Sequence, residues 1–376
     1  MSDGYLFDAD IYKDDLAESV WQADAAPING AKLCLDWING AEIRTLESTA
    51  HRLSAGMLRE MYRDVVWILQ GLAAILAVAA DRTVPVASRP LALRSEDGAL
   101  GLISRLPRAI RRLSFRVAAG LPDDLLWMPS LNTSASTYHL NRAEMLALRR
   151  EKLATPELVM LGSAEADTIR TKVFDKAKPS PIAKANWLRD TCRSWKSSQR
   201  KRAAERHLRR ARHCSGSALV ESYYKAVGTD FEVAFEAVLA YLEIPYIRLD
   251  DRTKTGAPDY LLTLDGSAIV VELKSKQGDN LVDYNKAVEV LSASEVHGHR
   301  DTFCVTLCQP GIDPSVPSVI AGCARLSVVE SIDLGEAFLR ICEGSLTRAQ
   351  LWRWLATPGQ ALTADFGVDP MNQDRG

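Results

Sequence analysis

Apolar residues recur at helical spacing through the first half of the chain. Between residues 40 and 80 they define two helices: one with Ile43, Leu46 and His51 on a mixed face, the next starting near Ala55. The second runs into VVWILQGLAAILAVAA at 65–80, which contains Gln70 and falls short of the roughly 18 to 20 residues that cross a bilayer. It predicts a buried helix and no membrane partner. After a loop at 81–98 with Pro85 and Pro90, helical spacing resumes with Arg105, Arg108, Arg111, Arg112 and Arg116. The step Gly120-Leu121-Pro122-Asp123 ends one helix and opens another. A further helix is predicted over 141–152, and Thr155-Pro156-Glu157 carries an N-cap and N1-proline signal for a short one.

Beyond residue 220 the period changes. A helix over 228–242 is followed by short strands at 246–249, 260–264 and 267–273, separated by the turn-rich 250–258 and by Asp265-Gly266, a hairpin signal. A polar helix at 283–294, a buried strand at 302–307, a strand at 326–329 and helices at 334–343 and 347–355 complete the pattern. The order α, β, β, β, α, β, β predicts an α/β sandwich behind a mainly helical N-terminal domain.

Composition adds bounds. The 376 residues, 47% apolar and 25% charged, suit two or three globular domains and exclude wholesale disorder or collagen-like order. The net charge of −2 hides a local block, since residues 189–212 hold ten Lys or Arg against Asp190 and Glu205. Such a run is either a solvated helix face or a phosphate-tracking element; Trp187, Trp195, His207 and His213 accompany it. Seven cysteines, an odd number without CxxC spacing, read as reduced thiols, and the acidic N-terminus lacks a signal-type apolar core. Both point to a cytoplasmic chain. The divisions expected are an acidic segment 1–29, a helical domain 30–165, a basic arm 166–216, an α/β domain 217–335 and closing helices 336–376.

Pro258-Asp259 stands at the mouth of one strand and Glu272-Leu273-Lys274 at the end of the next. Alternation places Glu272 and Lys274 on one face, so two carboxylates and an ammonium converge across the hairpin. Hard oxygen ligands of this kind suit Mg²⁺. Phosphodiester hydrolysis needs a metal to polarise the phosphoryl oxygen and activate water, and a cation to orient that water or offset charge. A solvated ion pair at a strand end is the simpler alternative for Glu272 and Lys274.

The segment GAPDYLLTLDGSAIVVELKSK resembles the PD-(D/E)xK motif of restriction-endonuclease-like nucleases. Upstream, GTDFEVAFEAVLAYLEI resembles the first core helix of the Mrr-like branch. The resemblance implies a restriction-endonuclease-like αβββαβ sandwich over 217–335 and an endodeoxyribonuclease using Mg²⁺ or Mn²⁺. It implies Asp259 and Glu272 as metal ligands, the Leu273 carbonyl as a third, and Lys274 positioning the attacking water. Glu232 completes the catalytic set, with Glu236, one turn later, as the alternative. Gln277 and Lys276 are either substrate-backbone contacts or solvated loop residues. In the basic arm, Arg200, Lys201, Arg206 and Arg209 are expected to hold nucleic acid.

In the first half, residues 35–80 with RRLSFRVAAGLPDDLLWMPSLN and LNRAEMLALRREKLATPELVML resemble the ratchet and helix-hairpin-helix tail of superfamily 2 DNA helicases. The glycine-rich hairpin of such tails is replaced by Asn132-Thr133-Ser134-Ala135-Ser136, and no GxxxxGK[ST] loop is present. Any motor would be a separate helicase or ATPase subunit, as in a restriction or anti-phage system. A non-catalytic nucleic-acid-binding scaffold on a degenerate nuclease fold, and an RNA nuclease, stay open as alternatives, as does a homodimer.

Overall fold

The computed structural model describes residues 25–49, 53–81, 83–89, 91, 94, 99–213, 216–250 and 256–367. His51, Cys214 and most of the acidic segment 1–29 lie outside the described residues. The chain forms two compact units, one of Met1–Thr155 and Thr168–Trp187, the other of Pro156–Asp167 and Leu188–Gly376.

In the first unit, helices α1 (Ala25–Ile38), α2 (Ile43–Thr49), α3 (Ala55–Ala79) and α4 (Ala99–Ala119) enclose a core of Leu33, Leu46, Leu58, Tyr62 and Val117. Ser54 caps α3 by accepting from the Met57 N–H, and α5 (Arg142–Arg150) opens on an Asn141–Glu144 capping box. Gly120 ends α4 at φ +62°, and a Cβ there would lie 2.3 Å from the Trp37 ring, so only glycine fits. The sequence predicts another helix beyond it. The structure instead has two 3₁₀ turns, Asp123–Leu125 and Met128–Leu131, where Pro122 and Pro129 withhold the donors that a longer helix needs.

The burial expected for 65–80 does not hold. α3 buries Leu58, Tyr62 and Ala73, but Trp67, Ile68, Ile75 and Val78 are 76%, 58%, 68% and 69% exposed. The helix is long and apolar enough, by length and composition only, to cross a membrane. A uniformly apolar helix is buried only where neighbours surround it. Here α4 and α2, the elements that contact α3 most, leave its opposite side open.

Helices α6 (Pro156–Met160) and α7 (Ala164–Val173) follow, and then α8 (Pro181–Ala211), a continuous 31-residue helix that contains the basic block. After α9 (Ser217–Lys225) and α10 (Thr229–Tyr241) come β1 (Tyr246–Arg248), β2 (Tyr260–Leu264), β3 (Ser267–Ser275), α11 (Tyr284–Val296) and β4 (Phe303–Gln309). The chain ends with α12 (Val316–Ile320), β5 (Leu326–Glu330), α13 (Ser331–Cys342), α14 (Arg348–Leu355) and β6 (Gly359–Ala361). The fold is mixed α/β.

The six strands lie in the order β1 to β6, antiparallel from β1 to β3 and parallel from β3 to β6. Asp265 (φ +49°) and Gly266 (φ +80°) make the tight turn that joins β2 to β3, as the Asp-Gly pair predicts. Both sheet faces are buried, as a parallel sheet requires. Val271, Val305 and Val329 pack with Phe231, Phe235 and Phe338 of α10 and α13, while Val270, Cys304 and Val328 pack with Val290 of α11 and Val316 of α12. The segment 336–376, set apart on sequence, gives β6 and two helical segments to this same core. The six described cysteines are free thiols.

Candidate active site

The hairpin register pairs Tyr260 with Val271, so one step further brings Asp259 beside the end of β3. The Leu273 backbone N–H donates to Asp259 Oδ2 at 2.6 Å, and the Leu249 N–H donates to the Asp259 carbonyl at 2.9 Å. Glu272 and Lys274 share the β3 face that looks toward α11. Lys274 Nζ donates to Glu272 Oε1 at 2.6 Å and also pairs with Glu289 Oε2 of α11 at 2.9 Å. Glu289 in turn pairs with Lys286 at 3.2 Å. At the strand's end the Gly228 N–H donates to Ser275 Oγ at 2.9 Å, which fixes the start of α10 against β3.

The electrostatics follow from this crowding. Burial, then the neighbouring Glu272 carboxylate, push Asp259 up to about 7, and Glu232 adds to the rise while the Leu273 N–H and Lys274 oppose it. Burial likewise raises Glu272 against the pull of Lys274. For Lys274 burial works downward, but Glu272 and Glu289 outweigh it and hold the ammonium charged. Glu272 is only 8% exposed, and its Oε2 is fully buried without a hydrogen-bond partner among the described residues. An orphaned carboxylate oxygen of this kind carries a desolvation cost of about 1–3 kcal/mol or more.

The two acidic residues of α10 divide their tasks. Glu236 Oε1 accepts from Arg248 Nε at 2.6 Å and from the Tyr260 hydroxyl at 3.0 Å. Glu232 approaches Arg248 only at 3.5 Å, and its charge is the one of the pair that acts on Asp259. Asp259, Glu272, Lys274 and the Leu273 main chain are thus brought together, with Glu232 at the margin.

The residues expected to bind nucleic acid are not equivalent. Arg200 is drawn into the protein, with Nε and one Nη on the Glu330 carboxylate at 3.0 and 2.6 Å. That removes it from the residues available to a phosphate backbone. Lys201 pairs with Asp279 at 3.1 Å on the surface. Arg206, Arg209 and Gln277 are exposed, and Lys276 pairs with Asp283 at 2.9 Å. Sequence reading missed Glu289, because a glutamate one turn past Lys286 on a polar helix looks the same as any solvated pair. A separate groove of about 850 Å³ in the first unit is lined by Trp37, Arg44, Arg59, Arg142 and Arg149, with Asp124 and Glu42.

No group of three His, Cys, Asp or Glu side chains is arranged for a metal among the described residues. The donor set nevertheless fits Mg²⁺ or Mn²⁺. Mg²⁺ takes one or two protein carboxylates and keeps its waters, and the pair here has an unpartnered buried oxygen and a mutual repulsion that a cation would relieve. Comparisons with protein-family models, curated proteins and solved structures gave no match to this chain.

Proposed function

We propose that the second unit is a metal-dependent phosphodiester hydrolase of the PD-(D/E)xK type, with a restriction-endonuclease-like core, that cleaves DNA. The observation that carries this reading is the buried pair Asp259 and Glu272, held by the Leu273 N–H and Lys274, with Glu272 Oε2 left unpartnered. The element order α10, β1, β2, β3, α11, β4 agrees with the core that the PD-(D/E)xK motif implies.

Asp259 and Glu272 would hold the ion, with the Leu273 carbonyl as a further ligand. When bound, a divalent ion supplies phosphoryl polarisation and an acidified water. Lys274 keeps its proton under the combined charge of Glu272 and Glu289 and so presents a cation to the reacting phosphate. Glu289 keeps that ammonium at the mouth of the site. Glu232 lies beside Asp259 and adds negative charge that favours a bound cation. The same reading suits a restriction, anti-phage or DNA-processing system, in which a separate helicase or ATPase subunit would supply the motor.

The test is plasmid nicking with Mg²⁺, Mn²⁺, Ca²⁺ or EDTA, on wild type, Asp259→Ala and Lys274→Ala. Cleavage should need Mg²⁺ or Mn²⁺, vanish in Asp259→Ala, and vanish in Lys274→Ala with most of the metal affinity kept. Activity that survives EDTA would overturn the reading. DNA binding without cleavage under every metal would favour the scaffold alternative.

A further inference from the structure

α8 sorts its positive charge between two faces. On one, Lys196 pairs with Glu157, Arg200 with Glu330, His207 Nε2 with Glu336 at 2.9 Å, and Arg210 with Glu336 and Glu343. These residues are spaced by four, seven and three positions, one or two helical turns apart, so they form one stripe along the helix, docked on the acidic residues of its own unit. On the opposite stripe stand Arg202, Arg206 and Arg209, with Arg212 beside them, all exposed. Among the described residues no acidic side chain forms an ion pair with any of the four, although the charge of Arg212 reaches Glu221. Glu205 stands on the same stripe, three residues after Arg202 and four before Arg209, so the stripe carries four cations against one carboxylate.

We propose that Arg202, Arg206 and Arg209, flanked by Arg212, form a track for the phosphodiester backbone of the nucleic acid that the Asp259–Glu272 site cleaves. The substrate assignment rests on the nuclease reading; the polyanion assignment rests on the stripe. At 1.5 Å per residue the three arginines follow one another at about 6 and 4.5 Å along the helix, a row of cations that can meet successive phosphates of a polyanion. A bilayer surface fits less well. Helices that bind bilayers need an apolar face, and on α8 the exposed large apolar side chain among the described residues is Ile182 at its start, about twenty residues before the stripe. The track begins where α8 is pinned to the catalytic edge of the sheet. Ser197 Oγ and Lys201 Nζ bind Asp279 (2.8 and 3.1 Å) in the loop after β3, and Arg200 binds Glu330 at the end of β5. These contacts fix α8, just before the stripe starts, to the end of the sheet at which β3 carries Glu272 and Lys274.

The experiment is fluorescence anisotropy of the full chain with labelled duplex and single-stranded DNA in EDTA, where no cleavage occurs, across a salt series. Replacing Arg202, Arg206 and Arg209 together by Gln should flatten the slope of log K against log salt by about 2.7 on duplex or about 2.1 on single strands. The triple Arg→Lys variant keeps the charge and should keep the slope. An unchanged slope in the Gln variant overturns the track, and so does wild-type binding to phosphatidylserine vesicles with none to DNA. Stripe-dependent binding by a protein that never cleaves under any metal would uphold the track and sink the nuclease reading alone.

Discussion

Leu273 donates its backbone N–H to Asp259 Oδ2 at 2.6 Å, so the main chain of β3 fixes the carboxylate that precedes β2. The bond orients Asp259 toward Glu272 whatever side chain stands at 273. It also brings two carboxylates together in a buried place where neither ionises easily. The folded apo protein therefore carries a charge conflict at the site where a cation is proposed.

That conflict predicts a pH dependence. Asp259 titrates at about 7 in the folded chain, against about 3.9 when unfolded. Between those values the folded state binds more protons, so stability falls as pH rises through the window. Glu272, also raised, acts in the same sense. Metal-free protein should melt higher at pH 5.5 than at pH 8. Mg²⁺ or Mn²⁺ should raise Tm strongly at pH 8 and weakly at pH 5.5, because protons compete for the same oxygens. Asp259→Asn should melt above wild type at pH 8 in EDTA and lose the metal response. Calorimetry in EDTA that finds wild type more stable at pH 8 than at pH 5.5 would remove the basis for this account.

Glu289 should matter to turnover more than to metal affinity. It touches Lys274 Nζ at 2.9 Å and no carboxylate of the pair, so it positions the ammonium and does not hold the ion. Glu289→Ala should lower kcat by about 10- to 100-fold, the usual range for a residue that orients a site group. KM and the Mn²⁺ dissociation constant should stay near wild type, and Glu289→Gln, which still accepts from Lys274, should recover part of the rate. Equal losses in metal binding and turnover would move Glu289 into the ligand set.

The hairpin that carries the site was legible in the sequence. Asp265-Gly266 demands a primed turn, the alternation of 260–264 and 267–273 fixes the register, and Pro258-Asp259 with Glu272-Leu273-Lys274 then converge by geometry. What stayed hidden depended on partners far away along the chain. Nothing near Arg200 announces Glu330, 130 residues later, and nothing in 65–80 says that the neighbours of α3 leave one side bare. β6 escaped notice because Gly359-Gln360-Ala361 holds no β-branched residue; its strand conformation is imposed by pairing with β5.

Arg200 and Arg206 are both arginines of one helix, yet their loss should have opposite consequences. Glu330 is nearly fully buried, and burial alone would raise its carboxyl; Arg200, with help from the Ile312 N–H at 3.2 Å, keeps it below its ordinary value. Arg200→Ala would strand that carboxylate, at a cost of about 3–5 kcal/mol, whereas Arg206→Ala on the open surface should change stability by no more than about 0.5 kcal/mol. The sign of the pH response differs too. Glu330 has a lowered folded value, so the stability that Arg200 confers is present at neutral pH and disappears in acid. Urea unfolding at pH 7 should show a large drop in midpoint for Arg200→Ala. Pairing Arg200→Met with Glu330→Gln should restore most of it, since glutamine is neutral and still accepts from Ile312. If Arg200→Ala unfolds at the same urea concentration as Arg206→Ala, the ion pair is not a structural anchor and Arg200 returns to the residues free to meet a phosphate.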